Sequence, residues 1–277
     1  MSQAMNHERR LRRSMLGLLA GAVLLPAWMQ VHAQDSDTQS AAAPAATPEA
    51  IEMVKRADET RFPRESFQTE ITIRNLSDGQ QTDQRKFRIL SRGNDNTIVL
   101  TTEPASERGQ ALLMRGRDLW IFMPSVSQPV RLSLAQRLTG QVANGDLARA
   151  NFAGDYTPSI IGQETLDGQP AIVLDLVAVD RSVTYSKVKY WIAEQDKRPL
   201  KAEFYALSGR LLKTARYEDF KELAGRLRPT RLVMEDALKR GEVSVLTYET
   251  MNVRDLPERM FYTRIPAPPR AMRPMGT

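Results

Sequence analysis

The 277-residue chain contains no cysteine and only two histidines, His7 and His32. Without cysteine no disulfide can hold the fold, so an apolar core must do so. Nor is there a thiol to take a lipid. Both histidines precede residue 34, inside a stretch that reads as a removable leader. The remaining chain then lacks imidazole and thiol together. That excludes Ser-His-Asp and Cys-His nucleophile systems and the usual nitrogen and sulfur zinc sites. A carboxylate-only hydrolase and an oxygen-ligated Ca²⁺ or Mg²⁺ site stay open. The apolar run Met15 to Leu25 is too short for a comfortable membrane span.

That run follows Arg9, Arg10, Arg12 and Arg13 and precedes Val31-His32-Ala33, whose small residues suit a signal peptidase. Residues 1–33 are therefore expected to be a signal peptide cleaved after Ala33. Arg12-Arg13 leaves general secretion and twin-arginine export both open. Without the leader's four arginines and one glutamate, 35 basic and 32 acidic residues remain, a net charge of about +3. No basic run interleaved with aromatics follows, so no nucleic-acid partner is indicated.

Residues 34–47, almost all small or polar, cannot repay the entropy of ordering and read as a flexible linker. Thr47 as cap, Pro48 in the first turn and Glu49 announce a helix over 48–61, with Ile51, Val54 and Ala57 on one face. From Phe67 the apolar period changes to two. About eleven alternating segments follow, from Glu70–Arg74 to Val243–Val253, punctuated by Asp78-Gly79, Asp167-Gly168, Ser208-Gly209 and Arg240-Gly241. Such spacing predicts a mainly β chain, a single curved antiparallel sheet with one apolar face and a few covering helices. An outer-membrane barrel shares the alternation but fits poorly with short strands. The domain is expected over 48–265, and residues 266–277 read as a disordered Pro-rich tail.

One stretch, Thr139 to Phe152, breaks the strand pattern. Gly140 and Gly145 resemble a phosphate loop, but Asp146 follows where Lys and Ser or Thr are needed. Asn144, Asp146 and Asn151 lack the acidic ladder of a Ca²⁺ loop. The remaining reading is conformational. Asp146 caps a short helix, Leu147, Ala150 and Phe152 offer an apolar patch, and the glycines act as hinges. On this reading Gly140, Gly145, Asp146, Leu147 and Phe152 form a lid; an immobile crossover plug is the alternative.

Several spaced segments carry a family resemblance: Arg137-Leu138-Thr139-Gly140, Asn144-Gly145-Asp146-Leu147, Tyr185-Ser186-Lys187-Val188-Lys189-Tyr190-Trp191-Ile192, Pro199-Leu200-Lys201-Ala202-Glu203-Phe204-Tyr205, Ser208-Gly209-Arg210-Leu211-Leu212-Lys213-Thr214 and Arg228-Pro229-Thr230. From about Ala50 to Ile265 the chain resembles the LolA-like outer-membrane lipoprotein-sorting proteins. The resemblance implies an antiparallel half-barrel whose concave apolar face carries acyl chains or other hydrophobic ligands across the periplasm. It implies no catalytic residue, cofactor or metal, a monomer, and hand-over to an inner-membrane transporter or an outer-membrane acceptor. Read with the strand phases, the concave cavity would be lined by Phe87, Ile89, Leu100, Ile121, Met123, Leu174, Leu176, Tyr190, Ile192, Phe204, Leu232 and Met234. The same residues could form a closed core. Trp120 and Trp191 would face outward as partner contacts. Two other functions stay open: an envelope sensor module on the same fold, and a hydrolase using Asp146, Asp155 and Asp175.

Overall fold

A computed structural model describes residues 46–149 and 151–262. The leader, its cleavage site, residues 34–45 of the linker, Ala150 and the tail beyond residue 262 lie outside the described residues. Helix α1 (Pro48–Arg61) opens with the Thr47 hydroxyl accepting from the Ala50 N–H at 3.1 Å, and Pro48 sits where no N–H is needed. Its buried side is Ala50, Met53, Val54 and Ala57, joined by Asp58 and Arg61 in the last turn.

The strands then follow in two meanders. The first is β1 (Phe67–Ser77), β2 (Gln80–Arg92), β3 (Asn96–Glu103), β4 (Ala111–Arg115), β5 (Asp118–Phe122) and β6 (Val130–Leu132). A crosspiece comes next: β7 (Arg137–Thr139), β8 (Val142–Ala143), α2 (Asn144–Ala148) and α3 (Phe152–Asp155). The second meander is β9 (Tyr156–Leu166), β10 (Gln169–Ala178), β11 (Lys187–Ala193), β12 (Pro199–Tyr205), β13 (Leu211–Leu223), β14 (Arg226–Asp236) and β15 (Glu242–Val253). Pairing of β1 with β15 joins the meanders into one antiparallel sheet of 13 strands in the order β6-β5-β4-β3-β2-β1-β15-β14-β13-β12-β11-β10-β9, while β7 and β8 pair separately. The sheet curves without closing into a barrel, as the alternation implies.

Cross-strand rows show which side is inside. One runs Thr69–Ile89–Val99–Leu112–Ile121 across β1 to β5. Another runs Leu174–Tyr190–Ala202–Ala215–Met234–Ser244–Asn75–Asp83 from β10 back to β2. The main core gathers on this concave face, beneath α1 and the crosspiece. A smaller core covers the outer face of β2 to β4, where Leu256 and Phe261 pack on Leu90, Ile98 and Leu113.

Two expectations change here. Leu100, assigned to the concave face, packs with the outer cluster of Leu90 and Ile98, and Val99 points inward instead. Ile98-Val99-Leu100 is apolar throughout because both faces of β3 are covered, so alternation gives no phase. Trp191 does face outward, but it is only 2% exposed. Its indole N–H donates to Glu164 at 2.7 Å, and the ammonium groups of Lys189 and Lys201 lie 4.6 and 4.2 Å from the ring. It is therefore no free contact surface; Trp120 is half-buried.

Candidate functional site

The crosspiece is pinned where the long cross-strand row turns polar. Ser244 Oγ donates to Asn75 Oδ1 at 2.6 Å, and Asn75 Nδ2 donates to Thr139 Oγ1 at 2.7 Å. The Gln141 N–H donates to Ser244 Oγ at 2.8 Å. Between these contacts Gly140 adopts φ +49°, and a Cβ there would lie 2.0 Å from Asn75 Oδ1. Glycine is required for the approach. It is a contact point, not a free hinge. Gly145 is equally tight, since its Cβ would lie 2.0 Å from Thr184 Oγ1.

Asp146 holds the next turn, in a way the sequence reading misplaced. It is the third residue of α2, and its carboxylate reaches back to the Ala143 N–H at 2.7 Å instead of capping the N–H groups ahead. The same carboxylate accepts from Lys213 Nζ at 2.6 Å and from the Tyr185 hydroxyl at 2.9 Å. Lys213 Nζ also donates to the Gln141 carbonyl at 2.5 Å and lies over the Tyr185 ring, 5.0 Å from its centroid. Lys213 is 4% exposed. Burial lowers the pKa of its ammonium, with Asp146 opposing, and burial beside Asp146 raises that of the Tyr185 phenol. Lys213 rises from β13 on the concave side, so the clamp joins crosspiece to sheet floor.

Two further ionic groups close the far side. Arg149 Nη2 donates to Asp155 Oδ1 at 2.8 Å and its Nη1 to Asp95 Oδ1 at 2.8 Å, while Arg117 Nε reaches Asp155 at 2.9 Å. Asp58 of α1 accepts from the Ala153 N–H at 2.8 Å and lies 3.4 Å from Arg61 Nη1. Desolvation raises the Asp58 pKa to about 7, with Arg61 opposing. Arg61 stacks 4.3 Å from the Phe152 ring centroid. Asp146 and Asp155, candidate hydrolytic acids, are thus held in buried pairs with cations.

These contacts divide the concave face. At the centre of the β9 to β15 side the crosspiece and α1 fill it, and a space of only about 20 Å³ remains among Phe152, Tyr185, Phe204, Leu232 and Met234. Leu174, Leu176, Tyr190 and Ile192 are buried there, as are Leu147 and Phe152 of the crosspiece. On the side of β2 to β6 a cavity of about 410 Å³ stays open. Phe87, Ile121 and Met123 of the expected lining reach it; Ile89 lies in the neighbouring core. Val99, Leu112, Leu132 and Leu138 line it without having been expected. For Val99 the signal was there, since it pairs with Ile89 on the same face. At the margin Arg85 Nε pairs with Asp83 at 2.9 Å and its Nη1 with Glu107. Among the described residues, no three His, Cys, Asp or Glu side chains are grouped to hold a metal ion, and no helix is long and apolar enough to cross a membrane.

Comparison with known proteins places this architecture. A family model described only as an uncharacterized protein matches residues 93–265. No curated protein matches the chain. Among solved structures, the LolA superfamily protein NE2245 from Nitrosomonas europaea is 57% identical, with a TM-score of 0.74 over 79% of this chain and 98% of that one. A domain from Vibrio parahaemolyticus described as an outer membrane lipoprotein-sorting protein is 21% identical, with a TM-score of 0.66 over 77% and 96% of the two chains. A DUF1329 family protein from Desulfovibrio piger is 19% identical, with a TM-score of 0.68 over 79% and 98%. The last two are similar in fold alone.

Proposed function

The chain belongs to the LolA superfamily, and from that premise we propose that it is a non-enzymatic carrier for lipid-like ligands, with one acyl chain held in the cavity between β2–β6 and the crosspiece. The observation that carries the reading is the cavity itself. Its volume of about 410 Å³ falls within the roughly 300–1,000 Å³ of small-molecule sites. Phe87, Val99, Leu112, Ile121 and Leu138 give it an apolar wall. Burying ten methylenes there is worth about 8 kcal/mol before the cost of association. Less an association cost of at least about 4 kcal/mol, the remainder corresponds to weak, readily reversible capture. The leader read from residues 1–33 supports a periplasmic carrier, whose cargo would pass to a membrane partner, an inner-membrane transporter or an outer-membrane acceptor.

A second reading, an envelope sensor module, draws on one contact. Asn144 lines the cavity, and the next two residues are locked against Thr184 and Lys213. A ligand pressing on that wall presses on the clamp. Native mass spectrometry of protein secreted to the periplasm and purified without detergent, followed by solvent extraction, separates the readings. A bound acyl lipid, lost in Ile121→Trp with the fold intact, supports the carrier. A protein that stays empty after incubation with envelope lipids ends that reading and turns the search to protein partners.

A further inference from the structure

Across the β7–β8 hairpin from the apolar cavity lies a second one, of about 280 Å³. Arg137 lines both. Arg210 and Lys213 line the second, with Leu212 and Leu238 as apolar wall. Lys213 is already neutralised by Asp146. Arg137 and Arg210 are exposed, and among the described residues neither lies within ion-pair distance of a carboxylate. The other carboxylate on this cavity, Asp236, has its Oδ1 engaged by the N–H groups of Leu238 and Lys239 at 2.8 and 2.9 Å. In the first cavity the charges are the other way about, because Arg85 is held by Asp83 and Glu107. The first chamber is therefore apolar with Arg85 satisfied and Arg137 at its boundary, and the second offers two guanidinium forks without an ion-pair partner, Arg137 lying in the field of Asp236. Such forks match carboxylate and phosphate geometry.

We propose that the two chambers take one amphiphile: a single acyl chain in the first, and its anionic head, a carboxylate or a phosphate, on Arg137 and Arg210 in the second. This rests on the carrier reading and gives it a ligand class. Size sets the chain number. At roughly 30 Å³ for a methylene- or water-sized group, the 410 Å³ chamber holds one chain of about a dozen carbons and has no room for a second.

The test is calorimetric titration of the purified protein with dodecyl phosphate, dodecanoate, dodecanol and inorganic phosphate, each alkyl probe below its aggregation threshold. The two anionic amphiphiles should bind at least about tenfold more tightly than dodecanol, as charge-assisted contacts outweigh neutral ones. Arg137→Gln/Arg210→Gln should erase that preference, and Arg210→Gln alone, which lines only the second chamber, should reduce it and leave dodecanol binding unchanged. Ile121→Trp should weaken all three alkyl probes. Equal affinity for dodecanol and dodecyl phosphate, or a preference that survives the double variant, overturns the head-group assignment while the carrier reading stands. Inorganic phosphate binding as tightly as dodecyl phosphate also overturns it, leaving a free-anion site. If no alkyl probe binds, the carrier reading fails and this inference falls with it.

Discussion

Lys213→Met is the perturbation that tests the interior most directly. In the wild-type chain Lys213 and Asp146 are 2.6 Å apart, and both side chains are less than 10% exposed. Breaking one partner of a buried pair typically costs about 3–5 kcal/mol, because the other charge is stranded. Protonation sets a ceiling. A stranded buried carboxylate can take up a proton, which costs about 1.4 kcal/mol for each unit between the ordinary aspartate value near 3.9 and the working pH. The ceiling for Lys213→Met is thus about 4 kcal/mol at pH 7 and about 1.5 at pH 5. The reverse variant, Asp146→Asn, strands Lys213, whose unfolded pKa is near 10.4, so its ceiling is about 5 kcal/mol at pH 7 and about 2 at pH 9. The two single variants should therefore depend on pH in opposite senses. Lys213→Met is least harmful in acid and Asp146→Asn in base. The double variant should be flat and recover most of the loss. Urea unfolding followed by tryptophan fluorescence at pH 5, 7 and 9, read as midpoint shifts at constant slope, measures all four proteins. A Lys213→Met cost below about 1 kcal/mol at pH 7, or the same pH trend in both single variants, would refute the buried pair.

Asp58 offers a second pH test. Its folded pKa is raised to about 7 from 3.8, so between those values the folded state keeps a proton that the unfolded state releases, and stability falls as pH rises. Relative to Asp58→Asn the wild type should lose on the order of 4 kcal/mol between pH 4 and 8; unfolding curves of the two proteins that run parallel across that range would contradict it. Gly140→Ala, at φ +49° and with Asn75 in the way, and Gly145→Ala, against Thr184, should each cost roughly 1–3 kcal/mol by overpacking, and thermal melts within 1 °C of wild type would show the crosspiece to be loose. Phe261→Ala should cost about 3–5 kcal/mol, because Phe261 is 1% exposed on the outer cluster. Loss of protection in β4 by amide hydrogen exchange should accompany it.

The local grammar of this fold is legible in the chain. Thr47-Pro48 marks the start of α1, and Gly79, Gly168, Gly209 and Gly241 all adopt positive φ at the hairpins they announce. The turn between β13 and β14 was not legible, because Ala224 takes φ +49° ahead of Gly225, a conformation its residue type does not advertise. The short strands β6, β7 and β8 fall below the length at which alternation can be read. Pairing of β1 with β15 joins residues such as Phe67 and Val253, which no local pattern links. Within the site, Asp146 and Lys213 look like any solvated charges in the sequence, since 67 positions separate them. Whether Leu174 or Leu112 lines a void depends on what lies opposite. The crosspiece covers the first and leaves the second open.

Why the crosspiece is fastened by polar groups follows from what apolar packing cannot do. Dispersion and burial are non-directional, so an aliphatic strip laid on the long apolar floor could slide toward β2–β6 and fill the open cavity. Hydrogen bonds and ion pairs are satisfied at one position only. The Ser244–Asn75–Thr139 chain fixes one end of the hairpin, and Lys213 holds Asp146 and the Gln141 carbonyl at the other. A shift along the strands would leave Lys213 buried without its partners, at a cost of about 1–3 kcal/mol or more, and would break the bonds of Asn75 to Thr139 and of Gln141 to Ser244. The same bonds that place β7 and β8 put Arg137 between the two chambers. An open cavity in a chain that could otherwise collapse onto it thus depends on charges buried on the opposite side of its wall.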